Sequence, residues 1–185
     1  ERSDVLLACG GGMERFLEDV RADHPRLTVC EAAGAAALLP SATGETEYNA
    51  HLWMSAEGAA SMAARIAQTL GEADPAYAGA YRENADAFAE KVRRQYESRR
   101  EKLDGAENRN IVIFHESFAY VARDFDLNVV GIIAKEPDEE PSAEELNAVI
   151  GAVRAYDVPA LFADAQYDDR AAVTVSTETG VPYYT

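Results

Sequence analysis

Cysteine is scarce in this chain, with Cys9 and Cys30 the only two among 185 residues. Two thiols cannot form a disulfide scaffold, and these two lack the CxxC spacing of a zinc or redox motif. A single bridge would require an oxidising compartment, whereas two buried free thiols match the usual burial of cysteine. Histidine is almost as rare, with three residues. No apolar run approaches the roughly 18 to 20 residues that span a bilayer. The opening Glu1-Arg2-Ser3-Asp4 has neither the basic start of a signal peptide nor a lipidation motif. There is no initiator Met, as expected of a mature product or a fragment. Positive charge is also in deficit: 17 Lys and Arg against 33 Asp and Glu give a formal net charge of -16. That argues against nucleic acid or an anionic membrane as partner.

What is present is ordinary for a globular protein, 48% hydrophobic and 27% charged residues, at a length that suits one domain or two small lobes. Val5-Leu6-Leu7-Ala8-Cys9 reads as a strand, Gly10-Gly11-Gly12 as a turn, and Met13, Phe16, Leu17 and Val20 as a helical stripe before a second strand at Leu27 to Cys30. Residues 31–50 are small and polar and read as a connection. A helix is expected from Ser55, with Met62, Ile66 and Leu70 on one stripe and Gly71 near its end. A longer one of about 30 residues follows, with Asp74 as N-cap and Pro75 at its first position, running to Leu103. Its charged second half, Arg93, Arg94, Arg99, Arg100 and Lys102 among glutamates, reads as a solvated face with i,i+4 pairs.

The continuous apolar run Ile111-Val112-Ile113-Phe114 predicts a strand buried on both faces. Further strands at Val129 to Ile133, Ala160 to Phe162 and Val181 to Tyr184 alternate with helices, one capped by Ser142 with Glu145 three residues on. The fold class is therefore α/β: two lobes with parallel β-sheets flanked by helices, bridged by a long helix. The expected divisions are 1–54 for a partial N-terminal lobe, 55–106 for the helical region and 107–185 for the C-terminal lobe.

Several motifs fail on inspection. The third glycine of a GxGxxG fingerprint would fall on Arg15 and no GK[ST] follows, so the glycines read as a tight turn. His115-Glu116 begins like HExxH, but Ala119 stands at the fifth position. Asp124, Asp126 and Asn128 mimic the opening of a calcium loop that Val129 and Lys135 then break. His24 reads as a surface loop residue. His115, at the carboxyl end of a predicted strand where parallel sheets bind ligands, and His51, beside Trp53 in an irregular segment, remain as candidate binding residues.

In order, these segments resemble the zinc/manganese-binding solute-binding proteins of bacterial ABC transporters. Asn49-Ala50-His51-Leu52-Trp53-Met54-Ser55 is similar to the family's Asp-Pro-His-x-Trp-Leu-(Asp/Ser) segment. Phe114-His115-Glu116-Ser117-Phe118-Ala119-Tyr120 resembles its strand-end histidine motif, and Glu136-Pro137 with Glu139-Glu140-Pro141-Ser142 its Glu-Pro-x-x-Glu-Pro-Ser stretch.

The resemblance implies a metal receptor in the periplasm or on the cell surface as a lipoprotein, with no enzymatic turnover. It would clamp Zn²⁺, or alternatively Mn²⁺, between lobes and deliver it to a membrane permease, the long interlobe helix being rigid and limiting domain opening. His51 and His115 would be two metal ligands. The family's other two, a histidine from an early loop and an Asp beyond the last strand, would lie outside the chain, because Glu1 falls at the third strand of the first lobe and Thr185 stops just short of the Asp. Imidazole donors suit zinc and tolerate manganese. The missing strands would expose a sheet edge open to dimerisation. Other readings are a receptor for a metal chelate, a surface adhesin, and an enzyme using His115 with Glu116 as acid and base.

Overall fold

The computed structural model describes residues 3–34, 36–42, 44, 47–134, 140–165 and 168–185. The chain divides into two compact units, Glu1–Lys102 and Leu103–Thr185.

In the first unit, strand β1 (Val5–Ala8) and strand β2 (Thr28–Glu31) pair in parallel through the crossover helix α1 (Leu17–Asp23), with Leu7 opposite Cys30. Helix α1 is shorter than the apolar spacing predicts. Gly10, Gly11 and Gly12 all take positive φ, at 79°, 67° and 89°, and the Glu14 carboxylate folds back to accept the N–H groups of Cys9 and Gly10 at 2.7 and 2.9 Å. Met13 and Phe16 are consequently left exposed ahead of the helix, and Leu17 is its buried anchor. A carboxylate of the chain itself thus occupies those two N–H groups.

Both cysteines are free thiols. The register explains why: Cys9 lies two residues past Leu7, the partner of Cys30. With strands about 4.8 Å apart and about 3.3 Å of rise per residue, the two Cα atoms stand about 8 Å apart, beyond disulfide reach. Burial and the neighbouring Glu14 carboxylate push the Cys9 thiol pKa up.

Helix α2 (Ala56–Ala73) starts at Ser55, whose hydroxyl accepts the N–H of Gly58 at 3.2 Å. Gly71 lies near its end, as expected. A Cβ there would stand 3.1 Å from the Ala78 Cβ, so the glycine lets the next helix approach. That next helix begins as a 3₁₀ turn, Pro75–Tyr77, before α3 (Ala78–Leu103). Its 26 residues make it about 39 Å long, shorter than the predicted 30-residue helix. Asp74 precedes it without capping it; its carboxylate accepts the Tyr81 hydroxyl at 3.3 Å. Tyr81, Ala85, Val92 and Tyr96 form the covered stripe, whereas Tyr77 and Phe88 are exposed.

The second unit is a four-stranded parallel sheet in the order β4-β3-β5-β6, with β3 at Asn110–Ile113, β4 at Asn128–Ile132, β5 at Leu161–Phe162 and β6 at Tyr183–Tyr184. Helices α4 (Ala119–Asp124), α5 (Ala143–Ala155) and α6 (Arg170–Thr179) connect these strands. Alternation along β3 serves both faces. Val112 joins Val149, Val153, Leu161 and Val175 on one side, and Ile111 and Ile113 join Ala122 on the other. The predicted cap of α5 is present as a full capping box, in which Ser142 accepts the Glu145 N–H at 3.2 Å and donates its own backbone N–H to the Glu145 carboxylate at 2.9 Å. Gly180, at φ 76°, closes α6. The acidic stretch at 135–139 lies outside the described residues.

Candidate metal site

His51 belongs to the first unit, at the start of the 3₁₀ turn Leu52–Met54 that leads into α2. Asn49 is 1% exposed, and its backbone N–H donates to the Leu39 carbonyl at 2.8 Å. Its Oδ1 faces two groups of His51, the backbone N–H at 3.0 Å and ring Nδ1 at 2.9 Å. The Trp53 ring stands 5.2 Å from the imidazole centroid.

Gly58 lets this segment sit where it does, and Gly11 lies against it from a positive-φ turn. A Cβ on Gly58 would lie 2.1 Å from the Leu52 carbonyl oxygen, and one on Gly11 would meet Leu38 Cδ1 at 3.0 Å and Ala50 Cα at 3.6 Å. Helix α3 holds the other side: the Tyr96 hydroxyl donates to the Met54 carbonyl, and the Arg93 guanidinium grips the Glu57 carboxylate through two bonds of 2.7 Å. That ion pair is solvated and weak, so it orients more than it stabilises.

His115 belongs to the second unit, directly after β3, and is buried together with Glu116 and Ser117. Its Nδ1 accepts the Ser117 N–H at 3.3 Å, so in the neutral ring the proton sits on Nε2. Coordination through Nε2 would move that proton to Nδ1 and forfeit one long hydrogen bond, a cost of about 1 kcal/mol. Burial pulls the His115 pKa below its ordinary value, against the opposing charges of Glu116 and Asp164. The ring is therefore neutral at pH 7, the form that a metal requires.

Asp164 is a residue that the sequence does not mark out. Ile113 and Phe162 are register partners on β3 and β5, which puts His115 and Asp164 at the same level, two residues beyond each. A carboxylate after a two-residue strand carries no motif of its own. Asn49 is likewise silent in the sequence, where nothing says in which direction its carboxamide points. His24 is an exposed helix C-cap, as expected. Among the described residues, no group of three or more His, Cys, Asp or Glu side chains is gathered in a way that could hold a metal ion. Nor is any helix among them long and apolar enough to cross a membrane.

Parallel sheets connected through helices place both units in the α/β class. Residues 1–185 match the family model described as zinc-uptake complex component A, periplasmic, and the chain belongs to this family, whose members are solute-binding proteins and not enzymes. It is 31% identical over 193 residues to the iron-binding protein YfeA of Yersinia pestis, covering 99% of this chain and 60% of YfeA. The structure is similar to FpvC of Pseudomonas aeruginosa in complex with Mn²⁺, at TM-score 0.84 and 30% identity, covering 98% of this chain and 68% of that one. It is also similar to the laminin-binding protein Lmb of Streptococcus agalactiae, described as having adhesin and metal-transporting activity, at TM-score 0.85 and 25% identity, covering 99% of this chain and 69% of that one. The chain thus spans about two thirds of the length of these relatives.

Proposed function

We propose that the protein captures a divalent transition metal outside the cytoplasm and passes it to an ABC-transporter permease, with His51 and His115 among the ligands. The observation that carries this reading is His51, whose Nδ1 is held by Asn49 in a segment packed closely against Gly58 and tied to α3. Membership of an uptake family supports it. Zinc is favoured over manganese because two imidazole donors suit zinc, while manganese prefers oxygen. The names of the relatives range over zinc, iron and manganese, so the donor chemistry is what supports the choice.

Calorimetric titration of the full-length protein with Zn²⁺ and Mn²⁺ tests this reading. Zinc should bind more tightly than manganese, and His51→Ala and His115→Ala should each weaken zinc binding by at least tenfold. Unchanged zinc affinity in both variants would overturn the reading. A second reading, attachment to an extracellular host protein, rests on the likeness to Lmb. Saturable binding to immobilised laminin, independent of bound metal, would support it.

A further inference from the structure

We infer that Asn49 is a positioning residue for His51: its buried carboxamide oxygen holds the ring proton on Nδ1 and thereby presents Nε2 to a divalent metal. The inference rests on the reading of His51 as a ligand. The orientation of the amide follows from its contacts. A backbone N–H can only donate, so the Asn49 atom that meets the His51 N–H at 3.0 Å must be the oxygen. The same oxygen meets Nδ1 at 2.9 Å and can only accept, so Nδ1 carries hydrogen. In a neutral imidazole the lone pair then lies on Nε2.

Asn49 is suited to this task. At 1% exposure it is shielded from competing water, and its backbone is tied to the Leu39 carbonyl at 2.8 Å. Ordering one ring nitrogen with an outer hydrogen bond fixes both tautomer and ring orientation, and loss of such a partner typically costs about 10- to 100-fold in metal affinity. The two candidate ligands are not equivalent in this respect. At His115 the Nδ1 atom accepts a hydrogen bond instead of donating one, so a preset Nε2 lone pair belongs to His51 and not to His115. The carboxamide is also neutral. A carboxylate in its place would keep the acceptor and make the imidazole a stronger donor.

The test uses the full-length protein, its Asn49→Leu and Asn49→Asp variants, and His51→Ala. Ring-nitrogen NMR on the metal-free protein reads the tautomer, and zinc titration reads the affinity. The natural protein and Asn49→Asp should keep the His51 proton on Nδ1. Asn49→Leu should lose that preference and bind zinc about 10- to 100-fold more weakly. Asn49→Asp should bind zinc at least as tightly as the natural protein, which decides the matter if Asn49→Leu does not fold. An unchanged tautomer and affinity in Asn49→Leu, or weakened binding in Asn49→Asp, would overturn the inference. Unchanged affinity in His51→Ala would instead overturn the reading of His51 as a ligand, whatever the tautomer measurement shows.

Discussion

His115 carries a pH dependence that belongs to the single residue. Its folded-state pKa is depressed by burial, so between about pH 6.5, the ordinary histidine value, and the lower folded value, the unfolded chain binds a proton that the native protein refuses. Stability should therefore fall as pH drops through that window and level off below it. In metal-free buffer, denaturant titrations across this range should show the slope in the natural protein and a reduced one in His115→Gln. An equal slope in both would mean that other groups carry the acid sensitivity. His115 as a candidate was legible in the sequence because a histidine closing an apolar strand stands out. Its neighbour Asp164 was not, because only the β3–β5 register brings the two to one level.

At the scale of elements, the His51 turn depends on a close approach between α2 and the preceding segment. Gly58→Ala would drive a Cβ to 2.1 Å from the Leu52 carbonyl oxygen. Backbone cannot yield as a side chain tip does, so the variant should lose about 2 to 3 kcal/mol by denaturant unfolding and shift the NMR signals of His51 and Trp53. Retention of both stability and shifts would show that the turn adjusts freely. The capping box of α5 is a local device, and Ser142→Ala should cost about 1 kcal/mol, measurable as a lower denaturation midpoint. It was readable in advance because Ser142 and Glu145 are three residues apart in one helix start. The start of α1 is not legible in the same way: apolar spacing predicts helix from Met13, but three positive-φ glycines and the returning Glu14 carboxylate hold that segment in a turn.

For the whole molecule, the formal charge of -16 should draw divalent cations toward the surface. Stopped-flow association of zinc should slow several-fold as ionic strength rises from about 0.02 to about 0.5 M, where the screening length drops below about 5 Å. The dissociation rate should stay nearly constant. An association rate indifferent to salt would leave the net charge without a part in capture.

The sequence by itself determined the α/β class, the strand and helix alternation, the family and the two candidate histidines. Each of these is written in local periodicity or in residue types a few positions apart. Tertiary structure alone decided which nitrogen of His51 and of His115 carries its proton, that Gly58 admits no side chain beside the His51 turn, and which strand-end carboxylate comes level with His115. Those properties depend on contacts such as Leu39 with Asn49, Leu52 with Gly58 and β3 with β5. Such contacts form only once the chain has packed, and no spacing along it encodes the direction in which a buried amide or ring must point.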